Sequence, residues 1–164
     1  MSDEINTRNV SERRKLRFAS IDDALAEAER LVACEAAGRI ECLGNWNLGQ
    51  ILGHLATWAE YAYKPNPMPA PWFVKLFVKL FRNRIINDEM RPGARLPRIP
   101  GGTLGTEECD TASAMQRYRA AMERLRREAP THPSPAFGPL THEEGIKLNL
   151  RHSELHLGFV RERP

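Results

Sequence analysis

An all-α four-helix bundle with long crossover connections is the fold the sequence predicts. Three observations carry it: apolar residues recur at helical spacing in four stretches, no stretch alternates as a β-strand would, and two connections are long and irregular. With 164 residues, of which 41% are hydrophobic and 27% charged, the chain can bury a core of its own without staples.

Residues 1–15 are polar and aperiodic and read as a flexible N-terminal arm, leaving 16–164 as the bundle domain. Ser20 offers a cap for the first helix, with Asp22 and Asp23 at its positive end. Ile21, Leu25, Ala28, Leu31 and Val32 then repeat at helical spacing up to Gly38. The second helix starts near Asn45 or Asn47 and runs through Leu48, Ile51, Leu52, Leu55 and Trp58 to about Tyr63. Pro65, Pro67, Pro69 and Pro71 forbid its continuation.

From Pro71 to Ile86, Trp72, Phe73, Phe77 and Phe81 alternate with Lys75, Lys79, Arg82 and Arg84. This predicts an extra short amphipathic, basic helix between helices two and three. Residues 90–105 hold glycines and prolines enough for an irregular crossover able to bend over a site. The third helix follows from about Thr106 or Asp110 to Ala129, with Ala114, Tyr118, Ala121 and Leu125 inside. Thr141-His142-Glu143-Glu144 is a capping box, and the fourth helix runs from it to about Arg161.

Several function classes drop out. The 24 Lys and Arg are interspersed with 21 Asp and Glu for a net charge of +3, so no nucleic-acid partner is indicated. The clusters at Arg13–Arg17 and Arg124–Arg127 read as solvated faces. No apolar run reaches the length of a membrane span, and Met1-Ser2-Asp3-Glu4 does not open a secretory signal, which predicts a cytoplasmic protein without an integral membrane segment. Cys34, Cys42 and Cys109 form no Cys-x-x-Cys pair and read as reduced thiols.

His152 and His156 lie four residues apart on one face of the fourth helix, so their rings can meet one ion. Leu148, Asn149, Leu155, Phe159 and Val160 share that face, whereas Lys147, Arg151, Glu154 and Gly158 point the other way. A pair at this spacing suits a metal site or a hydrogen-bonded core pair equally. The order His-Ser-Glu-Leu-His does not support zincin chemistry, because Glu154 stands on the wrong side of the helix. His54 in the second helix shares its face with Asn47, Gln50, Ile51, Thr57, Trp58 and Tyr61, a mixed lining that reads as a pocket wall.

The segment Gly44-Asn45-Trp46-Asn47-Leu48-Gly49-Gln50-Ile51-Leu52-Gly53-His54-Leu55, with Arg151-His152-Ser153-Glu154-Leu155-His156-Leu157, resembles the DinB/YfiT-like superfamily of four-helix-bundle metalloproteins. The turn from Thr131 to Thr141, with its His-Pro and Phe-Gly-Pro-Leu-Thr, is similar to one uncharacterised branch. The resemblance spans nearly the whole chain from about residue 14. It implies one metal-ligating histidine from the second helix and two from the fourth, namely His54, His152 and His156. The branch often has a further histidine just before the last ligand; Leu155 stands there in this chain.

Three imidazoles leave a coordination position open, as a catalytic site requires. Zinc, nickel, iron and manganese all suit such a set. Relatives that use a low-molecular-weight thiol imply a metal-dependent transferase or hydrolase acting on a small-molecule electrophile. Gln50, Tyr61 and Asn149 share faces with the ligands and could orient an imidazole or a substrate, or serve in packing and capping. His132 and His142 read as structural. The alternative is a non-catalytic metal-binding bundle, or one whose Trp72–Ile86 helix docks a partner chain or a membrane surface; exposed Phe73, Phe77 and Phe81 would favour a homodimer.

Overall fold

Side-chain caps set the register of the main helices. In the computed structural model, which describes residues 5–67, 70–94 and 102–163, α1 (Ile21–Ala36) opens on a reciprocal capping box between Ser20 and Asp23. α2 (Leu48–Glu60) opens on one between Asn47 and Gln50, and α5 (His142–Leu157) on one between Thr141 and Glu144. Asp110 caps α4 (Thr111–Arg127), accepting from the Ser113 amide. The helix between them, α3 (Trp72–Asn87), has no side-chain cap and kinks at Phe81. It matches the Pro71–Ile86 stretch the sequence predicts and, at 16 residues, is as long as α1 and α5.

The architecture is all-α. α2 is the central helix, buried on nearly every side from Leu48 to Thr57, and packs most extensively on α4 and then on α5. Tyr118 of α4 is fully buried, and its hydroxyl meets Ser153 Oγ of α5 at 2.7 Å. Leu25, Leu31, Leu52, Leu55, Met122 and Leu125 fill the core between the helices.

One expectation needs correcting. The fourth predicted helix does not reach Arg161; α5 stops at Leu157, and the chain turns into a strand, β2 (Val160–Glu162), that pairs antiparallel with β1 (Ile40–Cys42). Three residues per strand are too few for alternation to show in a sequence, and Phe159 and Val160 fit the helical repeat equally well. Gly158 marks the helix end: a Cβ there would meet the Arg14 carbonyl oxygen at 2.6 Å, so the N-terminal segment crosses hard against this end.

That segment also covers the face of α5 opposite the histidines. Arg151 and Glu154 are both buried and joined at 2.6 Å. Arg151 donates to the Phe18 carbonyl, and Glu154 accepts from the Phe18 amide. Arg14 donates to the Val160 and Leu157 carbonyls, and Ile5 exchanges two hydrogen bonds with the Asn45 side chain. Both sides of α5 are thereby fixed, which holds its histidines in register with α2.

Candidate metal centre

His54 stands two turns into α2, with its Nδ1 2.7 Å from the Leu104 carbonyl oxygen. A carbonyl accepts only, so Nδ1 carries the proton and Nε2 is left with a bare lone pair. That Nε2 lies 3.2 Å from His152 Nε2, which in turn lies 3.0 Å from His156 Nε2. The three ligand nitrogens fall within 4.8 Å of one another.

The segment from Leu104 to Cys109 makes this geometry possible by lying against α2. Gly49, Gly53 and Thr57 form a groove one turn apart. A Cβ at Gly49 would run into the Cys109 carbonyl oxygen, and one at Gly53 would sit 3.1 Å from Cys109 Sγ. Gly105 adopts a left-handed φ of 75° against Thr57, where any Cβ would come within 2.7 Å of that side chain. Cys109 Sγ donates to the Gly49 carbonyl and Gln50 Nε2 to the Thr106 carbonyl, tying the strap to the first turn of α2. Of the expected crossover, residues 95–101 lie outside the described residues; its end at Leu104 and Gly105 lies against α2, and the Leu104 backbone supplies the acceptor for His54.

Burial holds the imidazoles neutral. It pushes His54 down to about 4, and it lowers His152 and His156 well below the usual histidine range, with the neighbouring imidazoles adding to the shift. Neutral nitrogens are the form that binds a metal. Trp46 stacks on His156 at 5.4 Å and tilts over His54 at 5.0 Å. Trp58 stands edge-on to His54 and His152. His54 is buried while His152 and His156 are partly accessible, so the cluster opens on one side.

The donor set fits a divalent cation. His152 Nε2 faces two nitrogens and can carry at most one proton, so the cluster cannot satisfy itself by hydrogen bonding. Two nitrogens at 2.0–2.1 Å from one ion stand about 2.9 Å apart at a right angle and about 3.4 Å apart at the tetrahedral angle. The observed 3.0 and 3.2 Å lie between. His156 occupies the last turn of α5, where the carbonyl ends of the helix favour positive charge.

The other expected residues are placed as follows. Gln50 closes the α2 capping box and holds the strap. Tyr61 sits at the C-terminal end of α2, edge-on to Trp58. Asn149 donates to the Gly145 carbonyl one turn back. His142 Nε2 donates to the Leu125 carbonyl at 2.6 Å, and His132 lies in the turn beside Thr131. Cys34, Cys42 and Cys109 are free thiols outside the cluster. Sequence reasoning missed Leu104, which acts through its backbone, and the stacking role of Trp46.

No curated protein and no solved structure matches the chain. One family profile does, over residues 10–163, and with nearly its whole length matched the chain belongs to the family described as protein of unknown function, DUF1569.

Proposed function

We propose that the protein is a divalent-metal-dependent enzyme of the DinB/YfiT-like kind, a thiol-dependent S-transferase or a hydrolase acting on a small electrophile. The observation that carries this reading is the convergence of three neutral Nε2 atoms with too few protons to satisfy one another. His54, His152 and His156 would hold the ion. Zinc, nickel, iron or manganese there would lower the pKa of a thiol or a water towards neutrality and so supply the nucleophile.

The chain's own residues account for the rest. The Leu104 carbonyl fixes the His54 tautomer, and Trp46 and Trp58 wall the cluster against water on two sides. Trp58 Nε1–H is buried without an acceptor among the described residues, which leaves a donor for an oxygen of the substrate. Among the described residues no cysteine joins the cluster, so a thiol nucleophile has to arrive as a small molecule.

The test is the metal content of untagged protein by elemental mass spectrometry, beside His152→Ala. About one ion per chain, lost in the variant, supports the site and opens a screen of thiol-dependent transfers. No metal after reconstitution removes the proposal.

A further inference from the structure

The bundle leaves most of α3 outside. Only Val78 and Ile86 of this helix are buried, and its main polar anchor is Arg82, which donates to both carboxylate oxygens of Glu144 and to the Phe137 and Pro139 carbonyls. Trp72 is 76% exposed, Leu80 70% and Phe73 58%, with Leu76, Phe77 and Phe81 close behind. At about 100° per residue these side chains share one half of the helix. A contiguous apolar face of this kind marks a docking surface.

Charge identifies the occupant. α3 carries Lys75, Lys79, Arg82 and Arg84 and no acid. Arg82 is engaged by Glu144, and Arg84 by Asp88. Lys75 and Lys79 make no ion pair among the described residues, and they flank the Trp72–Leu76–Leu80 edge of the apolar face. Behind them a cavity of about 700 Å³ opens between α3 and the turn after α4, lined by Lys75, Lys79, Arg82, His132 and Phe137 and by no acidic residue. A second copy would bring the same cations to the same face.

We propose that α3 docks on the surface of an anionic phospholipid bilayer, its aromatic and leucine face in the acyl boundary and headgroup phosphates against Lys75 and Lys79. A helix of 16 residues is about 24 Å long, too short to span and suited to lie in the interface plane. No helix among the described residues is long and apolar enough to cross a membrane. Lysine stems can lie along the apolar face while their ammonium groups stay at headgroup depth.

The experiment uses the full chain and unilamellar vesicles. Sedimentation with phosphatidylcholine vesicles containing about one-third phosphatidylserine is expected, with little binding to phosphatidylcholine alone and loss of binding at about 0.5 M salt. The pair Lys75→Glu and Lys79→Glu should weaken binding at least about tenfold. Leu80→Ser, at an exposed position that leaves the core intact, should weaken it with an unchanged circular dichroism spectrum. Equal binding to uncharged vesicles, or indifference to the lysine pair, would overturn the proposal. So would failure to bind vesicles by a protein that light scattering shows to be a dimer dissociated by Leu80→Ser, because a second copy would then be what covers the face.

Discussion

The Leu104 carbonyl oxygen accepts a hydrogen bond from His54 Nδ1 at 2.7 Å, and this one contact selects the nitrogen that His54 turns towards His152. Leu104 is held there by its neighbour. Gly105 can press on Thr57 only because it lacks a Cβ and tolerates a φ of 75°. Gly105→Ala should therefore shift the Leu104 carbonyl and free His54 to rotate. Zinc affinity is expected to fall about ten- to a hundredfold, as when a ligand's outer hydrogen-bond partner is lost. A competition titration against a chromophoric chelator measures it, and unchanged affinity would show that the strap does not orient the ligand.

Trp58→Phe separates substrate contact from metal binding. The ring that walls His54 and His152 is kept in outline, while the Nε1–H that lacks an acceptor is removed. Metal content should stay at the wild-type level. Once a substrate is found, its KM is expected to rise about five- to tenfold, the value of one hydrogen bond to a buried donor. A loss of metal in this variant would mean that Trp58 supports the ligands themselves.

The helices and their starts are legible in the sequence because caps are local: Ser20, Asn47, Asp110 and Thr141 each act on an amide three residues on. The three histidines are legible by spacing and by motif. Leu104 is not, because a carbonyl carries no side-chain signature and its role depends on a strap fifty residues from His54. Gly49 and Gly53 stand in the quoted motif, yet the reason for them is the Cys109 backbone and thiol that fill the space. The strand pair between Ile40–Cys42 and Val160–Glu162 is too short for period-two alternation to register. Arg151 and Glu154 face away from the ligands on a helical wheel, and only the crossing of the N-terminal segment shows that this side is buried too.

That buried pair yields a stability prediction. Glu154 Oε1 accepts from the Phe18 amide and pairs with Arg151, while Arg151 Nε and Glu154 Oε2 are buried without a hydrogen-bond partner among the described residues; both side chains are within a few per cent of full burial. Glu154→Ala leaves a guanidinium without its carboxylate, and burial already lowers the Arg151 pKa. The expected cost is about 3–5 kcal/mol. The double variant Arg151→Met with Glu154→Leu should recover part of this, since it removes both charges and fills the space. Urea denaturation of the three proteins reads the result, and additive losses in the double variant would show that the pair is not coupled.

Acid should loosen α3 before it unfolds the bundle. The Arg82 guanidinium, with the Thr141 amide, holds the Glu144 carboxyl down to about 2 from its ordinary 4.5. A carboxyl whose folded value is depressed contributes fully above its unfolded value and loses that contribution as pH falls through the folded one. The ion pair should therefore stabilise the protein at pH 7 and lose its effect as pH falls from about 4.5 towards 2. Partial exposure of both side chains reduces the gain to about 1 kcal/mol. Glu144→Gln is the control, because glutamine still completes the capping box with Thr141 but cannot pair with Arg82. The stability difference between wild type and this variant, followed by urea denaturation across that window, should shrink steadily with acid. A difference that stays constant down to about pH 3 would show that it does not come from the ionised Glu144 carboxylate and its pairing with Arg82.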